Sequence, residues 1–155
     1  MRQTALWFAL LANISCAHSL IQGTEVRDTR ENREVYDVVQ KLREGLTSRD
    51  ADAVMALISE KYFETLGTTD PNDDYGYTAL RDKVIPELFG AVQEMQLAFE
   101  VYEIDVEDDR AHVDVRYHAR AQINLPSGTQ WASNKEFNRI ELVRDGDTWK
   151  IVSGL

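Results

Sequence analysis

Polar and apolar residues alternate from Arg110 to Leu125. Ala111, Val113, Val115, Tyr117, Ala119, Ala121, Ile123 and Leu125 hold one phase; His112, Asp114, Arg116, His118, Arg120, Gln122 and Asn124 hold the other. Period-two alternation over this length predicts a long β-strand with one buried and one wet face. Such a strand needs neighbours of similar length and a layer over its apolar face. Gln96 to Val106 also alternates, but its apolar phase moves between Val101 and Tyr102, which predicts a β-bulge. Glu107 to Arg110 reads as a tight turn. A third strand runs from Trp131 to Leu142, with a second phase change near Asn138. Asp145-Gly146 signals a hairpin into a last strand, Trp149 to Ser153.

Before the strands the period changes to that of helices. Val35, Val39, Leu42 and Leu46 predict an amphipathic helix from about Glu31 to Ser48, with Thr29 as N-cap. Ser48 or Asp50 opens a short second helix through Val54 and Ile58, and Tyr62, Phe63 and Leu66 follow as a brief extended or turn segment. Gly67 to Gly76 is a loop by composition. Thr78 caps a third helix from Ala79 to about Val92, which Pro86 should kink or divide. Three helices followed by four strands on short turns predict an α+β fold. Its sheet is a curved, four-stranded (or slightly larger) antiparallel meander with the helices on its concave face.

With 155 residues the chain is one domain plus accessories, and its 43% hydrophobic and 28% charged content is ordinary for a globular protein. The net charge of -10 argues against nucleic acid, which is bound through clustered Lys and Arg. The single Cys16 excludes an intrachain disulfide. Residues 1–15 read as a signal peptide: a basic start, then an apolar run too short to span a bilayer. Either Cys16 is the acylated first residue of a lipoprotein, or an ordinary peptidase cuts near Ala17 or Ser19. Position 13 is Asn, where lipoprotein boxes usually carry Leu. The expectation is export to a bacterial cell envelope with a lipid anchor facing the periplasm, the alternative being a soluble periplasmic or secreted protein. Residues 16–30 are expected to form a polar tether, and residues 31–155 the folded domain.

The element order, the Ser48-Arg-Asp-Ala-Asp52 connection and the closing Asp147-Thr-Trp-Lys-Ile-Val-Ser-Gly-Leu155 resemble the nuclear transport factor 2-like superfamily, the cystatin-like α+β cones, and within it the SnoaL-like type. Leu20 to Arg33, behind a Cys, is similar to small Gram-negative lipoproteins of that type. The resemblance implies a conical cavity between helices and sheet, and implies no single activity, since the superfamily holds isomerases, cyclases, dehydratases and transport factors. Its isomerases use a carboxylate base with an oxyanion hole of Tyr and protonated Asp. No Tyr–Asp–Asp set sits at matching positions here. A homodimer through the sheet face is implied by the same resemblance.

Asp70, Asp73 and Asp74 suggest calcium, but the spacing is not that of an EF-hand, and the segment is expected to be a solvated acidic loop. His112, Asp114, Arg116 and His118 share one strand face, opposite the face that must meet the helices, so they are expected away from the cavity. The pocket candidates are Tyr36, Tyr62, Tyr75, Tyr77, Tyr117 and Trp131, with Ala119 and Ala121 leaving room beside Tyr117. An aromatic, weakly charged pocket favours a small hydrophobic ligand over acid–base catalysis, and fits a filled core equally well. No cofactor and no metal are expected. A binding or interaction domain and a small isomerase, cyclase or dehydratase remain the two alternatives.

Overall fold

A computed structural model describes residues 19–155 of the chain. Helix α1 (Arg30–Ser48) starts where the Thr29 hydroxyl accepts the Asn32 N–H at 3.1 Å. It ends on Arg49, whose backbone turns left-handed at φ 55°. The Asp50 N–H then reaches back to Gly45 O at 2.9 Å, and the Asp50 carboxylate accepts the Ala53 N–H to open α2 (Ala51–Met55). One residue thus closes the α1 turn and caps α2. Gly45 lets the two helices approach: a Cβ there would meet Val54 Cγ2 at 2.9 Å.

Strands β1 (Phe63–Glu64) and β2 (Tyr75–Gly76) pair as a small separate sheet. A third helical stretch follows in three parts: α3 (Tyr77–Ala79), a π-helical turn (Leu80–Val84) and α4 (Ile85–Ala91). Gly76, not Thr78, precedes this helix, and no side chain caps it. Pro86 sits in the first turn of α4, where its missing N–H is tolerated, and the wide turn before it carries the Ile85 N–H to Leu80 O. The division expected at Pro86 is therefore made by a π turn just upstream.

The main sheet is a meander in the order β3 (Val92–Glu107), β4 (Arg110–Leu125), β5 (Gly128–Asp145), β6 (Thr148–Ser153), antiparallel throughout. In β3 the register slips at Tyr102, where the sequence places a bulge, and again at Gln93. Arg49 holds the second bulge, donating to Val92 O at 2.5 Å and to Gln93 O at 2.7 Å. The slip expected near Asn138 is absent: β4 and β5 pair without a shift from Arg110–Val143 to Leu125–Gly128. Trp131 and Phe137 instead occupy one face of β5 while Asn138, Ile140 and Leu142 occupy the other. The remaining irregularity lies between β5 and β6, at Glu141/Leu142.

Helix α1 packs along β3 and reaches β6. The core lies between them, with Val35, Val39, Leu42, Val113, Val115, Leu142 and Ile151 almost wholly buried. Each such side chain contributes roughly 1.5–3 kcal/mol relative to exposure. Residues 57–59 cover the free edge of β6, the Ser59 N–H reaching Ile151 O at 2.9 Å. The polar tether expected over residues 16–30 is corrected for its described part. Leu20 bridges Arg27, and the turn between them buries Ile21 and Val26 in the main core. Two apolar residues five positions apart are too sparse to register as a period. The leader, Cys16 and its anchoring lie outside the described residues.

Candidate functional site

A cavity of about 490 Å³ opens between the helices and the sheet. Leu42 and Leu46 of α1, Leu80 and Val84 of the π turn, and Ile85 and Leu88 of α4 form its helical wall. Leu97, Phe99, Val115, Tyr117, Ala119 and Ile140 form the opposite wall. The sheet contributes alternate residues because its pleat sends every second side chain inward. Ala119 widens the space beside Tyr117, as its small side chain suggests. The volume lies in the range of small-molecule sites, which are typically apolar with a few placed polar groups.

Polar groups gather at two ends. At the inner end lies Glu64, 9% exposed. Its Oε1 accepts the N–H groups of Thr65 and Leu66 at 3.1 and 3.0 Å. Its Oε2 accepts the Tyr62 hydroxyl at 3.2 Å and the N–H groups of Gly154 and Leu155 at 2.7 and 3.2 Å. Burial pushes the Tyr62 phenol far above its ordinary value, with Tyr75 and Glu64 adding to the shift. Tyr75 lies against Tyr62, ring centroids 6.2 Å apart, and donates to Leu155 O at 3.2 Å. Its phenol is also raised by burial.

At the outer end Tyr117 donates to Glu136 Oε2 at 2.8 Å. Asn134 Nδ2 approaches both the Tyr117 oxygen and Glu136 Oε2 at 3.3 Å. Burial, then the hydrogen bond to Glu136, raises the Tyr117 phenol. Asn138 lies between the two ends and donates to Gly154 O at 3.1 Å. Oε1 of Glu136 takes no hydrogen bond among the described residues.

The tyrosines and tryptophan singled out by sequence do not all meet. Tyr75 and Tyr117 line the cavity. Tyr62 is buried behind it and is joined to it through Glu64. Tyr36 packs against the core away from the lining, and Tyr77 lines a shallow groove on another side, beneath the Arg81 guanidinium. Trp131 faces outward, opposite Gln122, with Arg120 stacked at 4.6 Å, so its expected place at the cavity is corrected. The row from His112 to His118 also faces outward. Asp114 pairs with Arg139 at 2.6 Å, Arg116 with Glu100, and His118 Nε2 lies 3.2 Å from Glu100 Oε1. Arg139 holds the Asp114 carboxyl below its usual range. On the same face Arg116 lies over the rings of Tyr102 and Phe137 at 5.2 and 5.3 Å.

Sequence reasoning missed Glu64, Glu136 and Asn138. A signal for the last two existed: a two-residue connection, Pro126-Ser127, pairs Leu125 with Gly128 and so sets even positions of β5 beside odd positions of β4. Glu64 left no comparable trace. The loop acids of Asp70 to Asp74 serve their own turn, Thr68 donating to Asp73 and Asn72 to Asp70. Among the described residues no cluster of His, Cys, Asp or Glu has a metal-ligating arrangement, and no helix is long and apolar enough to cross a membrane.

No protein-family model matches the chain, and no curated protein matches it by sequence. Solved structures do match it in fold. A nuclear transport factor 2-like superfamily protein from Salmonella enterica superposes with a TM-score of 0.67 at 12% identity, over 79% of this chain and 87% of that one. A ketosteroid isomerase-like protein from Erwinia carotovora gives 0.66 at 16% identity, over 81% and 94%. A scytalone dehydratase-like protein from Novosphingobium aromaticivorans gives 0.63 at 16% identity, over 80% of each chain. The chain therefore has the nuclear transport factor 2-like α+β cone fold, in which its four-stranded sheet and helices enclose the cavity described above.

Proposed function

We propose that the chain is a non-catalytic binding domain that holds a small, mostly apolar molecule between its helices and its sheet. The observation that carries this reading is the 490 Å³ space itself, walled largely by aliphatic and aromatic side chains, with the small Ala119 among them. Native mass spectrometry of the protein purified from its expressing cells tests it, with Nile red titration as a second readout. A retained small molecule or saturable dye binding is expected, with Ala119→Leu weakening both. Absence of both retained molecule and dye binding overturns the reading.

Anchoring at the cell envelope through an acylated Cys16 is part of the same proposal, supported by the basic start and short apolar run before it. Fatty-acid labelling that persists in Cys16→Ala sinks that part. A second reading is favoured by one specific contact. Glu136 lies on the cavity wall beside the Tyr117 phenol, a carboxylate and a hydrogen-bond donor at 2.8 Å. Two of the similar folds are named for isomerase and dehydratase chemistry. In a cofactor-free isomerase, cyclase or dehydratase, Glu136 would move the substrate proton and Tyr117 would steady the developing oxyanion. Glu136→Gln would then abolish turnover while leaving the molecule bound.

A further inference from the structure

We infer that the cavity selects its ligand by charge and takes an apolar molecule bearing a protonated amine. The inference deepens the binding reading above and rests on it. It comes from counting donors and acceptors at the wall. Among the described residues no Lys, Arg or His lines the space; its ionisable side chains are Glu64, Glu136, Tyr75 and Tyr117. Glu64 has nothing to offer a ligand, because four backbone N–H groups and the Tyr62 hydroxyl already occupy its oxygens.

Both tyrosine hydroxyls are committed as donors inside the protein, Tyr75 to Leu155 O and Tyr117 to Glu136 Oε2. Asn134 turns its amide nitrogen to the same Tyr117–Glu136 pair. Asn138 is held by Gly154 O and by the Arg139 N–H, which leaves one amide N–H of its own. The charged group that remains is an acceptor, Oε1 of Glu136, on the wall of a mostly apolar bowl. A ligand complements that wall by bringing an N–H or O–H group on a hydrocarbon body. Ammonium is the best such group, since it adds charge to the hydrogen bond, and the aromatic side chains of Phe99 and Tyr117 line the same space for the hydrocarbon body. A carboxylate-bearing ligand of the same shape would meet Glu136 with no cation to offset it, and like charges set face to face oppose binding.

Titration calorimetry of the full chain at neutral pH, with phenethylamine, phenethyl alcohol and phenylacetate as matched probes, tests the inference. The amine is expected to bind about tenfold more tightly than phenylacetate, with the alcohol between them. Added salt should narrow the gap. Glu136→Gln should erase the preference, bringing the affinity of the amine down to about that of the alcohol for the same variant. Glu136 is exposed on the strand, so this isosteric change leaves folding intact. Equal affinities for the three probes overturn charge selection while the cavity reading stands. Tighter phenylacetate binding overturns it as well. Failure of the amine to bind overturns it too, and Nile red then decides whether the cavity reading falls with it.

Discussion

The Glu64 carboxylate accepts the Gly154 N–H at 2.7 Å, joining positions 90 residues apart. The first small strand is tied by this contact to the end of the main sheet, and the inner end of the cavity is closed. Replacing Glu64 with Ala would leave buried donors unmet, each costing on the order of 1–3 kcal/mol, partly relieved by water. Glu64→Ala is expected to lower unfolding stability by about 3 kcal/mol and Glu64→Gln by about half as much. Urea denaturation measures both, and an Ala variant as stable as the parent would refute the tie.

Gly154 stands at φ 93°, and a Cβ there would lie 2.1 Å from Arg139 O and 2.8 Å from Ile140 Cα. Backbone cannot yield as a flexible side chain can. Gly154→Ala should therefore cost more than about 2 kcal/mol. Gly146 also has positive φ, at 60°, but open space around it. Gly146→Ala should cost only about 1 kcal/mol. Thermal melts of the two variants side by side separate steric conflict from simple backbone preference.

Tyr62, Tyr75 and Tyr117 all have phenols raised by burial. An unfolded tyrosine ionises near pH 10, so above that value the unfolded chain loses protons that the folded chain keeps. The sign follows: their contribution is complete below about pH 10 and falls away as pH rises further. The urea midpoint should be flat between about pH 8 and 9.5 and should decline beyond about pH 10. The decline should be shallower in Tyr75→Phe.

On the uncovered sheet face Phe137 is 67% exposed and Tyr102 46%, their rings 5.6 Å apart with Arg116 above both. A second copy covering this patch is the homodimer expected from sequence. Light scattering should find twice the chain mass, and Phe137→Asp should return a folded monomer. A parent protein that is monomeric at high concentration would reject the dimer.

The strand from Arg110 to Leu125 was legible to the residue, as were the Thr29 cap and the bulge at Tyr102. Each is announced locally, by alternation, by a capping side chain or by a change of phase. Trp131 shows where that logic stops. Alternation reveals that two faces differ, but a large aromatic is not thereby the buried one. β5 carries Trp131 and Phe137 outward and Ile140 and Leu142 inward, which mimics a phase slip in a strand that has none there. Glu64 was illegible for another reason. Its partners come from its own turn and from the far end of the chain, and no spacing encodes such a meeting.

The π turn at Leu80–Val84 has an extra residue in one helical turn, and so rotates everything after it by about 100° about the helix axis. That rotation sets which sides of Ile85 and Leu88 look into the bowl. Losing one codon there would straighten the helix and aim a different set of side chains at the cavity while leaving the four strands as they are. The shape of the cavity can thus drift by insertion and deletion in one wall, independently of the sheet that carries Tyr117 and Glu136.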